Sequence, residues 1–302
     1  MPELPEVQTI VSDLQKILPG LKIADVQTDW KKMFKNCSFE YFKKEVVGEK
    51  ILNVERKGKN ILIHLSQNKT ILIHQKMTGH FLYGKWKMPA RLASESVAGG
   101  VKWISEESGP IKDDPQNRFI HLVFDLSNGK QLALSDLRKF AKVLLWPTDK
   151  LNELEDINNL GPDPTNKDFD FKKFQERLAG KKGKIKTVLM DQSVIAGIGN
   201  IYSDEILWLS GSHPMKPVSS LTQEELKTIY NSTKKILKRA LEARGTSDSD
   251  YRDPFGKKGL YQEMLFVYGL EGEKCQKKDG GTIARLKIGG RSAHFCPVHQ
   301  KL

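Results

Sequence analysis

The sequence predicts an α+β fold, and three observations carry the prediction. A helix-period stretch opens the chain at residues 5–18. Short alternating apolar runs fill residues 21–147. Helix-period stretches return from residue 171 and give way to a last pair of strand-like runs. The expected architecture is an N-terminal antiparallel β-sandwich of about eight strands with a flanking helix, then a helical C-terminal domain ending in a β-hairpin.

The first helix follows from Val7, Ile10, Val11, Leu14, Ile17 and Leu18, which recur at the spacing of one helical face. Pro5 suits the first helical turn and Glu6 the positive end of the helix dipole, while Pro19-Gly20 stops the helix. The opening stretch MPELPEV therefore reads as held in place, where chain ends usually fray. The strands are ILIHL, TILIHQ, FIHLVFDL, QLALSDL and KVLLW, separated by turn signals such as Gln67-Asn68-Lys69 and Ser127-Asn128-Gly129. Residues 86–117 form a longer polar, glycine-bearing interruption that reads as a surface insertion. These elements make a first domain of 1–147. Residues 148–170, polar and punctuated by Pro and Gly, read as a linker. Helix patterns at 171–179, 184–191, 201–209, 221–243 and near 259–264 make a second domain of 171–265. In the tail, 266–302, IARLKI and RSAHF flank Gly289-Gly290, a two-residue hairpin signal.

The chain has 302 residues and a formal net charge of +12. The excess is lopsided: residues 171–302 carry 24 Lys and Arg against 14 Asp and Glu, whereas residues 1–170 carry 25 against 23. A basic C-terminal half favours a polyanionic partner, nucleic acid before membrane surface. No apolar run reaches the length of a membrane span, no basic amphipathic helix with aromatic anchors is present, and the acidic start lacks a signal-peptide core. The expected location is the cytoplasm. Cys37, Cys275 and Cys296 make no disulfide framework.

Pro2 follows the initiator Met directly, and its removal would leave a secondary amine with a pKa of about 7.7–8.0. Such an amine attacking a sugar C1′ gives an iminium, an electron sink that drives elimination, and Glu3 beside it could move protons. Taken alone, the dipeptide reads instead as an unstructured chain start, and that reading wins without the rest of the sequence.

MPELPEV, the strand-rich domain, AGIGNIYSDEIL and GGRSAHFCP together resemble the formamidopyrimidine-DNA glycosylase family, in the expected order along the whole chain. Leu4 favours the purine-lesion branch over the endonuclease VIII group. The resemblance implies a helix–two-turns–helix element around 196–200 and a zinc-finger-like terminal hairpin. It implies Pro2 as the Schiff-base nucleophile, Glu3 as the proton donor and Glu6 as support for the N-terminal site. Lys59 matches the lysine that contacts the phosphate beside the lesion and assists β-elimination. Met77 matches the side chain that fills the gap left by an extruded nucleotide, with Arg138 and Phe140 as its partners. The physics is coherent, because a flipped base costs a few kcal/mol of stacking that apolar wedges offset. Read without the family, Met77 and Phe140 would be core residues.

In AGIGN, glycines and a helix N-terminus suit a phosphate, and Asn200 adds an amide donor. Glu205 matches a bracing carboxylate. Lys181, Lys182, Lys184 and Lys186 add phosphate neutralisation. His121 is expected to contact DNA through a loose match with the family's basic segment; the alternative reading is a plain strand histidine. Residues 244–261 stand where the family has its lesion-capping loop. The tail departs from the family's four cysteines: Cys275 is followed by Lys278, and Cys296 by His299. The expectation is a metal-free hairpin of the same shape; the alternative is a zinc site on Cys275, Cys296 and His299, completed by Asp279 or water. Arg291, after the Gly289-Gly290 turn, matches the arginine that grips the phosphates at the lesion and is linked to δ-elimination. Ala141 and Leu270 also depart from the family pattern.

The expected function is a bifunctional DNA glycosylase and AP lyase of base-excision repair. It would remove 8-oxoguanine and formamidopyrimidines from damaged double-stranded DNA as a monomer, associated with the nucleoid if bacterial. The rivals are an oxidised-pyrimidine glycosylase and a non-catalytic damaged-DNA-binding protein.

Overall fold

In the computed structural model, which describes residues 1–87 and 103–302, the chain divides into two compact units. One comprises Met1–Ile157 and Arg244–Leu260, the other Asn158–Ala243 and Tyr261–Leu302. The helical run expected over 171–265 is thus discontinuous: the chain leaves the second unit at Arg244 and rejoins it at Tyr261.

The first unit opens with helix α1 (Leu4–Ile17) and strand β1 (Ile23–Thr28), followed by helix α2 (Phe39–Val46). Strands β2 (Ile51–Lys57), β3 (Asn60–Leu65), β4 (Lys69–His74) and β5 (His80–Gly84) come next. A two-residue pair, β6 (Trp86–Lys87) and β7 (Ile104–Ser105), flanks the undescribed part of the expected insertion, and helix α3 (Pro110–Asp113) follows. Strands β8 (Ile120–Leu126), β9 (Gln131–Ser135) and β10 (Lys142–Pro147) complete two antiparallel four-stranded sheets, ordered β1-β8-β9-β5 and β10-β4-β3-β2. The period of two decides the faces. Ile61, Ile63, Ile71 and Ile73 join Phe81, Phe124 and Leu134 in a core that also takes Val7, Ile10, Val11 and Leu14 of α1. Leu62, Leu72 and Leu144 point the other way and pack with Leu154.

Two elements escape the sequence pattern. The α2 helix buries only Phe42 and Val46, too few positions to show a period, and Ser38 caps it through its Oγ, which accepts the Tyr41 N–H at 3.2 Å. The expected linker carries a 3₁₀ segment, Thr148–Glu153, and a short helix α4 (Glu155–Asn158), with Leu154 between them seated on the outer sheet face.

The second unit contains α5 (Phe171–Leu178), α6 (Ile185–Met190), α7 (Asn200–Ser210) and α8 (Gln223–Glu242), then the hairpin β11 (Ala284–Ile288) and β12 (Arg291–Phe295). Thr222 and Glu225 form a capping box that starts α8. Helix α7 is buried from Ile201 to Trp208, including Asp204 and Glu205. No helix among the described residues is long and apolar enough to cross a membrane.

Candidate active site and nucleic-acid contacts

Pro2 is buried at the head of α1, behind an exposed Met1. Glu3 and Glu6 form a capping box, in which the Glu3 N–H donates to Glu6 Oε2 at 2.7 Å. Glu6 Oε1 accepts a second backbone donor, the N–H of Thr246, at 2.7 Å. One buried carboxylate therefore ties the N-terminus to the 244–260 segment. Gly245 is required there: its φ is +83°, and a Cβ would lie 2.7 Å from Glu6 Oε1. Arg244 fastens the same segment to Asp13 of α1 and, at 2.6 Å, to Asp253.

Lys59 lies in the two-residue turn between β2 and β3, half-buried, opposite the end of β4 where His74 pairs with Asn60. Burial, then the charges of Lys76, Lys59 and Lys142, push the His74 imidazole down to about 4. Its Nδ1 accepts the Lys76 N–H at 3.0 Å, which leaves the proton of the neutral ring on Nε2. His74 was not legible as a site residue. Its only signal was a polar residue ending the apolar run TILIH.

Met77 is half-buried, whereas Arg138 and Phe140 are exposed. The Arg138 guanidinium lies 4.7 Å from the centroid of the Phe140 ring. Their loop is held from beneath by Asp136, which is 1% exposed. Asp136 accepts the Thr78 hydroxyl and, at 2.8 Å, the Ala141 N–H, while the Arg138 N–H donates to Thr78 Oγ at 3.0 Å. The segments carrying Met77 and the Arg138–Phe140 pair are thus braced on each other. Ala141 is buried, so the extra methyl relative to glycine is accommodated.

His121 is not available as a DNA contact. It is 5% exposed within β8, and its Nδ1 lies 2.8 Å from Asp29 Oδ1. Exposing it would strand a buried carboxylate. Lys186 likewise leaves the expected phosphate-binding run. Its ammonium is fully buried, 2.5 Å from Asp204 Oδ1 and 3.1 Å from Ser203 Oγ. Asp204 Oδ2 accepts the His294 N–H at 2.9 Å, so this ion pair links α6, α7 and β12. Lys182 remains exposed and Lys181 and Lys184 half-exposed.

The turn before α7 is braced by Gln192, whose Oε1 accepts the Gly197 N–H at 2.8 Å and whose Nε2 donates to the Ile198 carbonyl at 2.7 Å. Asn200 begins α7. Glu205 accepts the N–H groups of Phe266, Val267 and Tyr268 at 2.9, 2.9 and 3.0 Å. Burial pushes its carboxyl up to about 7 against those three donors. Arg291 is exposed beside the Gly289-Gly290 turn, both glycines having positive φ as a two-residue hairpin requires.

Cys275, Asp279, Cys296 and His299 form one cluster whose candidate ligand atoms all lie within 4.8 Å of one another. Cys275 Sγ is 3.7 Å from His299 Nδ1, and Cys296 Sγ is 3.4 Å from Asp279 Oδ2. The Gly281 N–H, then His299, hold Asp279 down to about 2, so it is anionic at neutral pH. His299 Nε2 faces the Trp208 carbonyl at 3.3 Å, which directs Nδ1 towards the cluster. The donor set and spacing fit a tetrahedral metal ion. Asp279 offers the fourth candidate ligand, where Lys278 supplies none. Leu270 packs beside this cluster with Trp208, Val267 and Ile283.

A buried Pro2 at the head of a capped helix, an exposed Arg138–Phe140 loop braced on a β-sandwich, and a glycine turn leading into a buried helix are the features this chain brings to a class of proteins, the DNA glycosylases of base-excision repair. The formamidopyrimidine-DNA glycosylase N-terminal domain matches residues 1–143, and the H2TH domain of the same enzymes matches residues 160–251. The chain is 38% identical to formamidopyrimidine-DNA glycosylase of Pelotomaculum thermopropionicum, with both sequences covered in full. The Lactococcus lactis Fpg in complex with abasic-site DNA is similar in structure, with a TM-score of 0.83, 32% identity, and 99% of this chain and 100% of that chain covered. MutM in complex with DNA containing carbocyclic 8-oxo-G is similar with a TM-score of 0.82, 32% identity and full coverage of both chains. This chain belongs to the formamidopyrimidine-DNA glycosylase family.

Proposed function

We propose that this chain excises oxidised purines, 8-oxoguanine and formamidopyrimidines, from duplex DNA and nicks the strand by β,δ-elimination. The observation that carries this reading is the N-terminus. Pro2 and Glu3 are fixed by the Glu6 capping box, in a chain similar from end to end to enzymes solved with abasic and 8-oxoguanine DNA.

Removal of Met1 frees the Pro2 secondary amine, a useful fraction of which is unprotonated near neutrality. Its lone pair attacks C1′ of the flipped nucleotide and displaces the base, the amine gives up its proton, and the C1′–O4′ bond then opens with O4′ protonated by Glu3, which leaves a C1′ iminium. The C1′ iminium then accepts the electrons released when a C2′ proton is lost, expelling the 3′ phosphate. Lys59 steadies the phosphate beside the lesion, and Arg291 serves the second elimination at the 5′ side. Met77, Arg138 and Phe140 fill the vacated stack, while Lys182 and Asn200 hold the backbone. Cys275, Asp279, Cys296 and His299 would hold zinc, whose contribution there is structural cross-linking. The same reading has the protein act as a monomer in the cytoplasm.

The test is borohydride trapping on a duplex with a single 8-oxoguanine, comparing the wild type with Pro2→Gly. The expected result is a covalent adduct mapping to residue 2, absent from the variant. A protein shown by mass spectrometry to lack Met1 that binds this duplex, yet is trapped neither on it nor on an abasic duplex, would sink the lyase assignment.

A further inference from the structure

The segment 244–260 is anchored at two ends. Its start is bound to α1 through Glu6–Thr246 and Arg244–Asp13. Its far half meets the C-terminal end of the insertion, residues 110–117. There Arg252, only 4% exposed, donates from Nε to Asp114 Oδ2 at 2.6 Å and from Nη2 to Oδ1 at 3.1 Å. The same guanidinium donates from Nη1 to the Tyr251 carbonyl at 2.7 Å and to the Ser249 carbonyl at 3.1 Å, so it fixes the course of the segment as well as its attachment. Beside it, the Tyr83 N–H donates to the Pro254 carbonyl at 2.7 Å. Gly256, at φ +77°, passes so close to Ile111 and Asn117 that a Cβ would lie 2.8 Å from each.

This attachment continues towards the wedge. Asn117 Nδ2 donates to the Pro110 carbonyl at 2.7 Å, leaving its Oδ1 to accept from His80 Nε2 at 3.0 Å. His80 ends two residues beyond Thr78, whose hydroxyl is bound to Asp136 under the Arg138–Phe140 loop. The side chains expected to replace a flipped base and the segment expected to cover it are therefore braced through one stretch, 110–118.

We propose that the bidentate Asp114–Arg252 pair is a positioning device that sets the 244–260 segment for the flipped base, and that presenting Asp114 is a function of the insertion. This rests on the glycosylase reading and deepens it. The segment would touch the base, whereas an abasic site offers none. Base excision should therefore depend on the pair and abasic-site cleavage should not. A buried charge pair broken on one side leaves the other charge unpaired, so either single change releases the segment.

The experiment measures single-turnover rates on matched duplexes carrying 8-oxoguanine or an abasic site, for wild type, Asp114→Asn, Arg252→Met and the double variant. Amide hydrogen exchange over 244–260 is followed in parallel. The expected result is lesion excision slowed about tenfold or more in each variant, with the double variant no worse than either single one. Abasic cleavage stays within about twofold and exchange in the segment rises. Should Arg252→Met fail to fold, the isosteric Asp114→Asn decides alone. Equal slowing on both duplexes, unchanged lesion excision, or unchanged exchange overturns the proposal. A wild type inactive on both duplexes fails the glycosylase reading instead, and the exchange comparison still decides the clamp.

Discussion

Glu6 serves two backbone donors with one buried carboxylate, the Glu3 N–H and the Thr246 N–H. Truncation to alanine leaves both without that acceptor, and Glu6→Ala should cost about 2–4 kcal/mol of stability, read by urea unfolding. Its catalytic loss should exceed what stability explains, because Pro2 and Glu3 ride on the same cap. Glu205 makes a pH prediction. Its folded value of about 7 lies above the ordinary 4.5. A raised carboxyl contributes stability that is full below the unfolded value and is lost as pH rises through the folded one. The melting temperature should therefore fall between about pH 5 and about pH 8, and Glu205→Gln should flatten that fall. Pro2, Glu3, Lys59 and Arg291 are expected as site residues because their neighbours spell recognisable motifs. His74, Gln192 and Asp204 are not, because their roles arise from partners brought together by folding.

The strands were legible because Ile61, Ile63, Ile71 and Ile73 obey a period of two, and the hairpin because Gly289-Gly290 fits only a tight turn. Helix α2 was not, since its buried face has two residues. The wedge loop stands on Asp136, so Phe140→Ala removes a ring without removing its support. It should weaken binding to a lesion duplex by about 1–3 kcal/mol, measured by fluorescence anisotropy, with little change in melting temperature. The terminal hairpin carries the candidate metal cluster. Asp279→Asn should weaken zinc binding at least as much as loss of an outer-sphere partner does, about 10–100-fold, in a competition titration with a chromophoric chelator. The sequence left this site open because Asp279 follows Lys278 by one position, outside the family spacing, and only the turn geometry brings it back among the ligands.

Charge acts at the scale of the whole molecule. With +12 net and the excess in residues 171–302, binding to duplex DNA should weaken steeply with salt. Lys182→Ala and Arg291→Ala should each lower the slope of log K against log salt by about 1, in equilibrium titrations over a range of KCl concentrations. Composition made that legible, but it could not reveal that Lys186 is spent on a buried pair and His121 on Asp29. Nor could it reveal that residues 244–260 fold with the first unit, because their attachments are scattered polar contacts without a period. That discontinuity has a consequence for how the protein is made. A ribosome delivers residues 1–157 first, yet Arg244, Thr246 and Arg252 are made only after another stretch of about 90 residues, some 4–20 s later at about 5–20 residues per second. Until then Glu6 lacks the Thr246 N–H, Asp13 lacks Arg244 and Asp114 lacks Arg252. The nascent N-terminal unit waits, incomplete, until about five-sixths of the chain has been synthesised, and its Pro2 site is finished only then.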